Sequence, residues 1–98
     1  MIEDYVAAIR QRRTLLVNYA PGAREIEPHA VGVGADGQHL LRAFQTDGAS
    51  ASGEHINWKL FRLDRFGGPP KLAGKFPGPR PGYRRGDSAM KRGIIEEL

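Results

Sequence analysis

Asn57-Trp58-Lys59-Leu60-Phe61-Arg62-Leu63-Asp64-Arg65-Phe66 holds the chain's one tryptophan, two of its four phenylalanines and three of its cations. That aromatic density predicts a strand. Alternation sends Trp58, Leu60 and Arg62 to one face and Lys59, Phe61, Leu63 and Arg65 to the other, so each face carries apolar bulk and positive charge. Such a strand needs cover on both faces, and its cations invite an anion.

Upstream, Ile2, Tyr5, Val6 and Ile9 recur at helical spacing, with Glu3 and Asp4 at the start and Arg10, Arg12 and Arg13 at the end. The helix dipole favours each sign where it stands, so one short amphipathic helix is predicted. Thr14 to Tyr19 and Arg24 to Val33 read as strands separated by a Pro21-Gly22 turn. Pro28 has no N–H to give a ladder and is expected at an edge or a bulge. Gln38 to Phe44 reads as the next strand, entered through an Asp36-Gly37 hairpin turn. Gln45 to Gly53 reads as a polar loop and Lys71 to Phe76 as a short edge strand. Gly32-Val33-Gly34-Ala35-Asp36-Gly37 matches a dinucleotide-binding glycine pattern, but a strand follows where that motif requires a helix, so the hairpin is preferred.

With 98 residues the chain is expected to be one domain with a small core. It has no cysteine, its first residues are acidic and no apolar run is long enough to span a bilayer. A cytoplasmic location without membrane association is expected. Residues 1–66 carry eight Lys/Arg against eight Asp/Glu, whereas 67–98 carry seven against three. The excess charge lies in the last third. Residues 77–86, rich in Pro, Gly and Arg, offer little apolar matter to offset the entropy of ordering. A basic tail over 77–98 is therefore expected after a domain at 1–76, ending in a short helix capped by Asp87 or Ser88 with Ile94, Ile95 and Leu98 on its apolar side.

No chemistry-bearing constellation emerges. His29, His39 and His55 lack partners at metal-ligand spacing. Ser50 and Ser52 lie outside any strand-to-helix elbow. Glu25 and Glu27 read as a solvated strand edge. The protein is therefore expected to be neither an enzyme nor the holder of a metal or cofactor. Arg80, Arg84 and Arg85 around Tyr83 have the basic and aromatic interleaving of single-strand binders, where cations hold phosphates and rings stack on bases.

A helix ending in Arg12-Arg13, a strand ending in Tyr19, then Arg24-Glu25-Ile26-Glu27-Pro28, a glycine hairpin into Leu40-Leu41, and finally Lys59 to Phe66 together resemble, in that order, the WYL domain family over about residues 2–76. The resemblance implies a small SH3-like or Sm-like β-barrel with an N-terminal helix, a ligand-sensing role in bacterial transcription regulation or phage defence, and a basic groove for single-stranded nucleic acid or a nucleotide-like ligand. Carried over by position, the groove residues are Tyr19, Arg24, Lys59, Arg62 and Arg65. Two departures stand out: Gln38-His39-Leu40 replaces the tripeptide that names the family, and Lys59 replaces its usual arginine, exchanging a bidentate fork for a point charge. A non-catalytic regulatory module is thus expected, acting through a partner protein, with Arg80, Tyr83, Arg84 and Arg85 as further nucleic-acid contacts. The alternative is a protein-interaction or homo-oligomerisation module whose strand edge and basic residues meet an acidic partner.

Overall fold

A computed structural model describes residues 1–98. Its helix α1, Ile2–Gln11, carries Glu3 and Asp4 in the first turn and Arg10 in the last, and it buries Tyr5, Ala8 and Ile9. It stops at Arg12, which takes the left-handed conformation (φ 53°) and donates its N–H back to the carbonyls of Ala8 and Ile9. Arg13 is therefore already in the first strand.

Six strands follow: β1 Arg13–Tyr19, β2 Gly22–Val33, β3 His39–Gly48, β4 Asn57–Arg62, β5 Lys71–Lys75 and β6 Gly93–Glu97. All the ladders are antiparallel. The order is β4-β3-β2-β1-β5, with β6 added to β2, and no ladder joins β4 to β5. This is a mainly β fold with an N-terminal helix.

β2 is the spine. One edge pairs with β3 along nearly its whole length, whereas the other pairs with β1 as far as Ile26 and with β6 from Ala30 onward. Pro28 falls where the β1 ladder has ended and the β6 ladder has not begun, beside a bulge towards β3 between Pro28 and Ala30. A residue without an N–H sits there at little cost. The β2–β3 turn closes through donation from Gly34 N–H to Gln38 O (2.8 Å) and from Gly37 N–H to Gly34 O (3.0 Å), with Gly37 at φ 81°. A branched residue would be strained at that position.

Each face of the sheet has its own cover. The face carrying Leu15, Val17, Ile26, Leu41, Ala43 and Phe61 packs against Tyr5, Ala8 and Ile9 of α1 and against Leu63 and Phe66, which follow β4. Tyr5 stacks on Phe66 at 5.3 Å, and Tyr19 meets Phe61 edge-on at 4.8 Å. The Tyr5 hydroxyl is buried without a hydrogen-bond partner, and burial pushes its pKa above the ordinary tyrosine value.

The opposite face is covered by the last part of the chain. Phe76, Tyr83 and Trp58 surround the His29 ring, Arg80 lies over Phe44 (4.3 Å to the ring centroid), and Met90 packs with Ala30 and Leu40. Residues 77–92 form no regular element, as their composition indicates, but they are anchored across the sheet rather than appended to it. The helix expected over 87–98 does not form. Residues 93–97 are instead a strand, because the exposed edge of β2 from Ala30 to Val33 supplies a partner and Ile94-Ile95 suits a pleated surface.

The stretch from Asn57 to Phe66 is likewise not one continuous strand. β4 ends at Arg62, and a single 3₁₀ turn over Leu63–Arg65 redirects the chain so that Leu63 and Phe66 both enter the core. Nor does a loop begin at Gln45, because β3 runs on to Gly48.

Candidate anion-binding site

The inward face changes character at one end. Val17 pairs with Arg24, Ile26 with Gln45 and Ala43 with Lys59, so two cations and an amide continue a face that is elsewhere apolar. Arg24 is only 5 % exposed. Its Nε donates to Tyr19 O (3.0 Å), its Nη2 to Ala20 O (2.6 Å) and its Nη1 to Gln45 Oε1 (3.3 Å). The guanidinium also lies 5.1 Å from the Tyr19 ring centroid and 5.5 Å from that of Phe61. Each acceptor is neutral. Burial pulls the Arg24 pKa below the ordinary arginine value, and no carboxylate offsets it. The nearest acidic residues in the ladders, Glu25 and its partner Asp47, point to the other face.

Gln45 extends the chain of contacts. Its Nε2 donates to Ala49 O (2.8 Å) and His55 O (3.0 Å), pinning the two ends of the 49–56 connection. From that connection Ser50 and Ser52 accept hydrogen bonds from Lys59 Nζ at 3.0 and 3.2 Å. Lys59 therefore also lacks a carboxylate. It is half-buried, with two hydroxyls beside its ammonium group. Charge-assisted donors with neutral neighbours are suited to receiving a phosphate or carboxylate.

The expected groove residues divide on this geometry. Tyr19, Arg24 and Lys59 belong to the same end of the inward face. Arg62 points away from it and is held by Asp64 (Nη2 to Oδ2 2.8 Å), which raises its pKa. Its backbone N–H nonetheless donates to the Tyr19 hydroxyl (3.2 Å). Arg65 stands exposed on the 3₁₀ turn, unpaired. Gln45, Ser50 and Ser52 were not singled out by sequence as binding residues. The alternation Leu41, Ala43, Gln45 was the available signal, since it continues the inward set by one polar residue.

On the outer face Arg80 is committed to Glu27, with Nε to Oε1 at 2.7 Å and Nη2 to Oε2 at 3.2 Å. Glu27 is thus a buried ion-pair partner and not the solvated edge its alternation with Glu25 suggested. Tyr83 donates from its hydroxyl to His29 O, and Arg85 pairs with Glu97 at 3.1 Å. Arg84 is exposed and bonded to nothing. Arg42, on β3, makes a bidentate pair with Asp87 (2.6 and 3.2 Å) that lowers the Asp87 pKa. No group of three or more His, Cys, Asp or Glu is arranged to hold a metal ion, and no helix is long and apolar enough to cross a membrane. Compared with protein-family models, curated proteins and solved structures, the chain matches none.

Proposed function

We propose that this protein is a non-catalytic, WYL-like regulatory module that binds a single-stranded nucleic acid or a small phosphorylated ligand at the end of the sheet formed by Tyr19, Arg24, Gln45 and Lys59. One observation carries the reading: the buried Arg24 and the Lys59 ammonium on the same face have only neutral hydrogen-bond partners, while the carboxylates of the adjoining ladder face away. Burying a cation without a counter-charge is costly, and an anionic ligand removes that cost. The sequential order of helix, strands and motif residues that resembles the WYL family supports the same reading.

The test is a titration of the whole chain with a short oligothymidylate and with inorganic phosphate at low and high salt. Binding should weaken with salt, and Lys59→Gln should cost about 1–3 kcal/mol, the scale of a charge-assisted contact. Lys59 is the cleaner probe because Arg24 also holds the β1–β2 turn. Salt-insensitive binding, or binding indifferent to Lys59→Gln, refutes the assignment.

A second reading rests on the opposite edge of the sheet. Leu16 and Leu72 are exposed there, and Lys71 and Lys75 flank Leu72 on the edge strand β5. That edge suits an acidic protein partner, and a stable stoichiometric complex formed without any added anion would favour it.

A further inference from the structure

A cavity lies on the outer face, away from Lys59. It is a cleft of about 430 Å³ between β3–β4 and the 82–88 segment, lined by Arg42, Trp58, Tyr83, Arg84, Arg85 and Asp87, among others. Its volume is that of a small-molecule site rather than of a macromolecular groove. The lining combines three arginines with one carboxylate. Asp87 holds Arg42 in a fixed orientation, Arg85 is mostly exposed and shares its charge with Glu97, and Arg84 is free.

The aromatic part of the lining is equally specific. Trp58 and Tyr83 lie nearly parallel (24°) with ring centroids 6.1 Å apart. The indole N–H makes no hydrogen bond. It faces Gly82, where a Cβ would come within 3.3 Å of Nε1 and close the approach. Gly82 also adopts φ 92°, so the residue that opens the cleft is one whose backbone disfavours any side chain. An unpaired guanidinium, a positioned guanidinium, an unused indole donor and two flat rings in one small cavity match a ligand with a negative group at one end and a planar polar ring at the other.

We infer that the Arg42–Trp58–Tyr83–Arg84 cleft is a second binding site, distinct from the Lys59 end of the sheet, for a mononucleotide-type ligand. The phosphate is met by Arg84, with Arg42 and Arg85 at its flank, and the base lies against the Trp58–Tyr83 surface. Stacking on such rings contributes about 1–3 kcal/mol per base and tolerates different bases, so purine and pyrimidine nucleotides are both accepted.

Trp58 is the only tryptophan, so its fluorescence reports this cleft directly. The intact chain would be titrated with UMP, AMP and inorganic phosphate, following Trp58 emission and, in parallel, the heat of binding. The expected result is a saturable, salt-weakened change for both nucleotides, with inorganic phosphate binding roughly tenfold or more weakly because it forfeits the ring contact. Arg84→Gln should raise the nucleotide Kd roughly tenfold, the loss of one charge-assisted contact, with an unchanged melting temperature because Arg84 supports nothing in the fold. The inference fails if the nucleotides give no saturable signal, if inorganic phosphate binds as well as they do, or if Arg84→Gln leaves the Kd unaltered. Nucleotide binding abolished by Lys59→Gln but spared by Arg84→Gln would place the ligand at the first site and also overturn it. The failure of oligothymidylate to bind at Lys59 bears on the first site alone.

Discussion

Beneath α1 the sheet packs Leu15, Ile26, Leu41 and Phe61 against Tyr5 and Ile9 in an apolar cluster, with the buried Arg24 and Gln45 confined to one end of that face, whereas beneath residues 76–92 it buries Glu27 and His29 among Trp58, Phe76 and Tyr83. The first cover is held by shape and water exclusion, so many apolar residues could meet there. The second requires named partners, because each buried polar atom must find its complement. Glu27 finds Arg80 across 53 residues of sequence, and His29 is satisfied on both nitrogens. Its Nδ1–H donates to Glu27 O (2.8 Å) and its Nε2 accepts the Arg80 N–H (3.1 Å), an arrangement available only to the neutral ring. The same small sheet thus has one face that tolerates substitution of like for like and one that is sensitive to protonation.

The largest test of this contrast is Phe61→Ala on the α1 side. Phe61 is 1 % exposed and touches Tyr19 and Phe66, so its loss should cost about 3–5 kcal/mol in urea denaturation. A cost below about 1 kcal/mol would show that this face does not carry the fold's stability.

Acid should act on the other face. Burial first, and the nearby Arg80 charge as well, hold the His29 pKa below its ordinary 6.5, against the opposing influence of the Glu27 carbonyl and carboxylate. The unfolded chain therefore takes up a proton before the folded one does. Stability is full above about pH 6.5 and falls as the pH drops below it, by up to about 1.4 kcal/mol per unit until the folded-state value is reached. Protonation removes the acceptor for Arg80 N–H, so trypsin should cut at Arg84 and Arg85 faster, relative to sites in β1 and β2, when the enzyme-corrected rate is compared at pH 7 and pH 5.5. Equal relative rates at the two values would remove His29 as the peg of this face. Asp87, whose pKa is lowered by Arg42, contributes in a separate window. Its stabilisation is present above its ordinary 3.8 and is lost as the pH falls below that.

The smallest effect sharpens the comparison from the apolar side. Tyr5→Phe removes the one buried side-chain polar atom that lacks a partner while keeping the ring on Phe66. It should leave stability unchanged or raise it by about 1 kcal/mol, seen as a higher denaturation midpoint. A clear loss would mean that the hydroxyl is engaged after all.

The apolar face was the legible one. Ile2, Tyr5 and Ile9 announced the helix by spacing, Asp36-Gly37 announced the hairpin, and the β-branched and aromatic content of Thr14 to Tyr19 announced the first strand. Periodicity is a local property, so a short window suffices to read it. The polar face was not legible in the same way. Glu27 and His29 look like solvated residues until a partner distant in sequence is brought to them, and residues 77–92 look like a tail because nothing local reveals that they cover a sheet. Ile94 and Ile95 fit a helix as readily as a strand, and only the free edge of β2 decides between the two. Of the expected groove, Tyr19 and Arg24 fall together because β1 and β2 are neighbours, and Lys59 joins the same face from β4 across β3. Arg62 and Arg65 do not join them, because the 3₁₀ turn that re-aims the chain depends on burying Leu63 and Phe66, which sequence alternation alone does not foretell.

The divided edge of β2 bears on how this chain reaches its native state. Its half from Ala30 to Val33 stays bare until residues 93–97 arrive, so during synthesis the spine exposes unpaired N–H and C=O groups while most of the chain is already made. A ladder closed over so long a loop forms late. Until β6 docks, the bare segment is a template for the same segment of another chain, and the last residues therefore act as a plug against self-association as much as a sixth strand. Removing residues 93–98 would bare this edge and also take Leu98 from the helix-covered core and Glu96 from Arg10, so the protein would lose solubility and melting temperature together.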